Sequence, residues 1–138
     1  SFGGIKAAAK IMNMTKTELE NSIMANLGEI DPDLMQKIQD NMFTFENLVS
    51  VDNKGIQVLM RNVEPDLLMV AMKGASEDAK NRFFDNMSER ARGMFRDDME
   101  ALPPLRMADV EDAQKQIMRK ARKLSDSGEL MLGGADFV

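Results

Sequence analysis

The sequence contains no cysteine, no histidine, no tryptophan and no tyrosine. Without cysteine there is no disulfide, no thiolate nucleophile and no thiolate metal ligand. Without histidine the chain lacks the usual general base near neutral pH and the commonest transition-metal ligand. Long apolar runs are missing too. The longest, LLMVAM at residues 67–72, is far short of the roughly 18 residues that read as a membrane-spanning helix. An excess of basic residues is also absent: 18 Lys and Arg stand against 23 Asp and Glu, for a formal charge of −5. That balance, without a basic cluster, gives no electrostatic footprint for nucleic acid or anionic lipid. The start, SFGGIK, has neither an initiator methionine nor the character of a signal peptide, and is expected to be a cut within a longer protein.

What remains is a composition suited to a folded chain, 43% hydrophobic and 30% charged over 138 residues. That length accommodates one ordinary domain or two small helical ones. Fourteen methionines supply much of the apolar volume; their unbranched side chains tolerate sliding contacts between helices. No alternating run demands a strand, so the chain is predicted to be all-α.

Gly3-Gly4 precedes any periodic pattern and is a candidate interdomain hinge. Residues 5–13 are predicted to form a short alanine-rich helix. Thr15 and Glu18 make a capping box for a second helix, which Gly28 ends. Asp31-Pro32 opens a third, with Asp as N-cap and Pro at the first helical position. These three short helices form a repeat-type unit that needs neighbours to stack on. Met42, Phe43, Thr44 and Phe45 follow with one polar interruption, marking residues 43–51 as boundary and hinge.

Helices then start at Asp52, at Glu64-Pro65 and at Ser76, the middle one ending in Lys73-Gly74 with Gly74 as a left-handed cap. A long helix covers about residues 108–124, with Val110, Ala113, Ile117, Ala121 and Leu124 on its apolar stripe and a solvated, basic C-terminal half. SDSG closes it, and 129–138 reads as a partly mobile glycine-containing tail.

The densest charge lies in SERARGMFRDDMEALPPLR at 88–106. Ser88 caps a helix that Pro103-Pro104 stops. Met87, Ala91, Met94, Phe95, Met99 and Leu102 share an arc at 100° per residue, with Arg90 and Asp97 at its edge. Asp98 is expected to point into that arc and therefore to need a partner. Together with Lys73 and Arg106, these residues make a charged ridge.

Enzymatic chemistry finds no support in the sequence. Asp97 and Asp98 are adjacent on a helix and point about 100° apart, so they do not face each other. There is no DxDxDG loop, no GxxxxGK[ST], no GxSxG and no GxGxxG. No catalytic residue, metal site or cofactor is expected. Without a family resemblance, a generic helical-repeat adaptor would be the competing reading.

The chain closely resembles the C-terminal part of the bacterial flagellar motor switch family FliG. The resemblance rests on MFTFENLV at 42–49, the stretch from Leu68 through MKGA, NMSERARGMFRDD at 86–98, PLR at 104–106 and VEDAQK at 110–115. These separated motifs match in order along essentially the whole chain, least well in the tail.

The resemblance implies a short armadillo-like three-helix unit at 1–43, followed by a compact helical bundle at 44–138 that carries the charged helix. It implies a rotor subunit in a ring at the cytoplasmic face of the inner membrane, within the flagellar basal body. Lys73, Arg90, Asp97, Asp98 and Arg106 fall on the positions that meet the cytoplasmic loop of the stator, each with the family's sign. Met42, Phe43, Thr44 and Phe45 fall on the aromatic hinge that would allow reversal, and Gly3 and Gly4 on the glycine linker. The other implied partners are FliM and neighbouring copies in the ring. The family's acidic, proline-containing FliM-binding motif of the middle domain is not in this sequence.

Overall fold

Polar side chains open helices along the chain. Asp31, Asp52, Ser76 and Ser88 each accept a hydrogen bond from the backbone N–H three residues on: Leu34 at 3.1 Å, Gly55 at 2.8 Å, Ala79 at 3.1 Å and Ala91 at 3.1 Å. Each bond satisfies an amide that the first helical turn leaves free.

The computed structural model describes residues 16–132. Its elements are α1 (Lys16–Ile30), α2 (Pro32–Met42), a 3-10 helix (Phe45–Ser50), α3 (Asn53–Arg61), α4 (Pro65–Lys73), α5 (Glu77–Phe84), α6 (Glu89–Glu100) and α7 (Met107–Asp126). No strand occurs among the described residues, and the architecture is all-α as predicted. The helix expected at 5–13, the Gly3-Gly4 linker and Thr15 of the expected capping box lie outside the described residues. The chain divides into two compact units, Ser1–Asn41 and Met42–Val138.

In the first unit Gly28 does not end its helix; α1 continues to Ile30. A Cβ at Gly28 would lie 2.7 Å from the sulfur of Met35, so the glycine serves a close approach of α2 rather than a helix stop. Ile23, Ile30 and Leu34 remain exposed here.

In the second unit the long helix α7 packs most extensively along α4, and also meets the 3-10 helix and α3. Its predicted stripe of Val110, Ala113, Ile117, Ala121 and Leu124 is buried, joined by Met118. Leu48, Ile56, Leu59, Met72, Phe83 and Ile117 form the centre of the core, with essentially no exposed area. The 3-10 helix had no sequence prediction. It contributes Phe45 and Leu48 to this core, and the Phe45 ring stacks on Phe83 with centroids 5.7 Å apart. α5 packs on the 3-10 helix and on α3, and α6 packs on α4.

Two glycines behave differently from each other. Gly74 follows α4 at φ −102, so it is not the left-handed cap expected of it. A Cβ there would fall 2.6 Å from a methyl of Val110, so Gly74 lets α7 approach closely. Gly128, at φ 82, is left-handed and terminates α7. Its N–H donates to the Ser125 carbonyl at 3.0 Å, and the Glu129 N–H donates to that of Leu124 at 2.8 Å. After this turn Leu130 and Leu132 are buried. The expected mobile tail is thus corrected for residues 129–132, whose alternating leucines return to the core.

Candidate functional site

The charged helix α6 is fixed through one side. Ser88 caps its start, and its inner face is built around the last residue of α5. The Arg92 Nε–H donates to the Phe84 carbonyl at 3.2 Å. Phe95 meets the Phe84 ring edge-on, with centroids 6.2 Å apart and planes at 79°. The Arg96 guanidinium covers the same ring at 4.7 Å. Met99 is the buried residue of the helix, and Leu102 is half-buried just beyond its end. Arg92 and Arg96 therefore anchor α6, a division of labour among its arginines that the sequence pattern did not reveal.

The opposite face points outward. At 100° per residue Arg90, Met94, Asp97 and Ala101 lie opposite Met99, with Gly93 and Asp98 beside them. All six are exposed, Met94 at 58% of its surface. Asp98 does not enter the apolar arc as expected. The arc is narrower than the sequence suggested, because the helix seats on Phe95 and Met99 and leaves Ala91 and Met94 outside. Asp98 lies on the Met94 side, in water, and needs no internal partner. Gly93 has open space around it: a Cβ there would meet nothing within 4 Å.

Lys73 and Arg106 belong to a second part of the surface. Lys73, in the last turn of α4, shares a shallow cleft of about 380 Å³ with Gly74, the Pro103-Pro104 turn and Met107. Arg106 occupies the N-cap position of α7, but its side chain makes no capping hydrogen bond. Lys73, Arg90, Asp97, Asp98 and Arg106 are all exposed. None of the five enters an ion pair among the described residues. In particular, Asp98 and Arg106, on either side of the proline turn, do not pair.

The MFTF stretch divides into a fixed and a less constrained half. The Thr44 N–H and hydroxyl both donate to Asn47 Oδ1, at 2.7 and 3.0 Å, and tie Thr44 to the 3-10 helix. Phe45 is 3% exposed. Phe43 sits at a bend, half-buried at the rim of the core, and the Arg122 guanidinium lies 4.3 Å above its ring. Met42 ends α2 and is exposed. The Arg122–Phe43 contact joins residues far apart in the chain, and no local sequence signal announces it.

Among the described residues no group of three or more Asp or Glu side chains is arranged to hold a metal ion. No described helix is long and apolar enough to cross a membrane.

Residues 25–132 match the model of the FliG C-terminal domain. The chain belongs to the FliG C-terminal domain family. It is 52% identical over 133 residues to the flagellar motor switch protein FliG of Vibrio cholerae, covering 96% of this chain and 38% of that one. It is 46% identical over 134 residues to FliG of Pseudomonas aeruginosa, covering 97% of this chain and 40% of that protein. The chain thus spans about two-fifths of the length of these curated relatives. Among solved structures, full-length FliG from Aquifex aeolicus aligns with a TM-score of 0.77 at 36% identity, over 94% of this chain and 40% of that one. A FliG fragment from H. pylori aligns with a TM-score of 0.68 at 28% identity, over 92% of this chain and 56% of that one.

Proposed function

We propose that this chain is the torque-receiving part of a flagellar rotor and switch subunit. The observation that carries this reading is the set of five charges, Lys73, Arg90, Asp97, Asp98 and Arg106. All are exposed and none is paired internally among the described residues, in a chain of the FliG family. Charges of both signs held on rigid helices suit a partner that must be engaged in register and released quickly. Exposed ion pairs contribute only about 0–1 kcal/mol each, so repeated engagement and release is not arrested by any single contact. A sealed bridge would hold the rotor still.

The partner in this reading is the cytoplasmic loop of the stator, the ion-driven membrane complex. The protein sits on the cytoplasmic side of the inner membrane, peripheral to it, in the flagellar basal body. Its first unit acts as an armadillo-like repeat that stacks on a neighbouring copy in the rotor ring and meets FliM. The exposed Ile23, Ile30 and Leu34 support such stacking, since they leave apolar surface available to a neighbour. Reversal of rotation comes from turning the bundle about Met42-Phe43-Thr44-Phe45. The reaction is mechanical, with no catalytic residue and no cofactor.

Charge reversal tests the reading. Cells in which the native copy carries Arg90→Asp together with Asp98→Lys should lose or misdirect swimming while protein abundance and flagellar assembly remain normal. Normal swimming in that double variant would leave only a helical-repeat adaptor with no part in torque.

A further inference from the structure

The sequence treats Met42, Phe43, Thr44 and Phe45 as one hinge, but their environments are unequal. Thr44 is held by two hydrogen bonds to Asn47 Oδ1. Phe45 is buried and stacked on Phe83. A turn about the backbone of either residue would break the capping of the 3-10 helix or pull an aromatic ring out of the core. The bend at Phe43 carries neither constraint. Its ring lies at the rim of the core, beneath the guanidinium of Arg122 at 4.3 Å.

Arg122 is well placed to hold that ring. It projects from α7, the helix around which the second unit is built, so its base is rigid. Its Nε lies 3.7 Å from a carboxylate oxygen of Asp126, one turn further along. Both contacts exist in the same side-chain conformation. The exposed Asp126 carboxylate is thus near enough to favour this placement weakly and does not draw the guanidinium off the ring. A planar cation on an aromatic face is a contact of intermediate strength. It is strong enough to bias a two-state joint and weak enough to open within a working cycle.

We propose that Arg122 is a positioning residue for directional switching: it latches Phe43 to α7, and the joint turns at Met42-Phe43 when the latch opens. This rests on the hinge reading above and narrows it to one bond region and one controlling side chain. Phe43 is the moving element and Phe45 is part of the anchor.

The test uses Phe43→Leu, Arg122→Gln, Arg122→Lys and Asp126→Asn, each in the native copy in motile cells. The readouts are the ratio of time spent in the two rotation directions, the stall torque and the protein's thermal midpoint. Phe43→Leu keeps an apolar body and removes the π face. The expected result is a shift of the direction ratio by on the order of three- to ten-fold in Phe43→Leu and Arg122→Gln, in the same sense, at unchanged stall torque. Phe43→Leu combined with Arg122→Gln should shift no further than either alone, because both remove the same contact. Arg122→Lys should recover part of the effect, and Asp126→Asn should shift the ratio the same way by less. A shift in Phe43→Leu with none in Arg122→Gln overturns the latch and leaves the hinge standing. No shift in either variant overturns both. Loss of torque and midpoint in Arg122→Gln without a change in ratio assigns Arg122 a structural role only and also overturns the latch.

Discussion

At the scale of single residues, the glycines show how one residue type serves opposite ends. Gly74 is crowded, with a methyl of Val110 2.6 Å from where its Cβ would be, whereas Gly93 faces open space. Alanine should therefore act in opposite directions at the two sites. Gly74→Ala forces a stiff, buried β-branched neighbour to move and should destabilise the protein by about 1–3 kcal/mol. Gly93→Ala adds a methyl to an exposed helix interior and should stabilise it by up to about 1 kcal/mol. Urea unfolding of both variants checks the pair; equal effects would show that the close approach of α7 at Gly74 is relaxed at no cost. The sequence alone misread Gly74. Gly74 sits after a lysine at the end of an apolar stretch, which is the usual pattern of a left-handed cap, and the backbone takes a right-handed turn there instead. The deciding contact comes from Val110 on another helix, which no local pattern contains. Asp98 was misplaced for a related reason: counting Ala91 and Met94 as inward widened the arc until it reached the carboxylate.

At the scale of elements, helix starts were the most legible feature. Asp31, Asp52, Ser76 and Ser88 all cap as predicted, because a cap is a bond between residues three apart and is written locally. The apolar stripe of α7 was legible for the same reason: its period is set by the helix itself. The 3-10 helix was not. Its six residues carry too little periodicity to separate it from a loop, and it exists because Phe45 and Leu48 are drawn into the core from that position. This changes the expectation for the aromatic pair. Phe45→Ala removes a buried ring that stacks on Phe83, and should cost about 3–5 kcal/mol. Phe43→Leu, at the rim, should cost much less. A chemical denaturation midpoint for Phe45→Ala close to that of the unaltered protein would show that the 3-10 helix does not anchor the second unit. The anchoring of α6 through Arg92 and Arg96 was equally hidden. Its acceptor and its aromatic partner both belong to Phe84, at the end of the preceding helix, and only the folded geometry brings them beneath those side chains.

At the scale of the whole molecule, architecture and chemistry fit a surface that meets another protein. The bundle commits most of its apolar residues to a continuous core, and its exposed charges include the five of the ridge, three positive and two negative, on α4, on α6 and at the start of α7. The family resemblance singled out these five residues, and the structure shows all of them exposed. Their freedom from internal pairing was not written in the spacing, which placed Asp98 on the apolar arc and in need of a partner. The proposed torque transfer through this surface depends on charge complementarity. The most direct measurement is swimming speed in a reciprocal charge swap. Arg90→Asp or Asp98→Lys alone should impair motility, and an opposite reversal in the stator's cytoplasmic loop should restore it while being harmful on its own. Full speed in the single reversals, or no recovery in any reciprocal pair, would contradict the account.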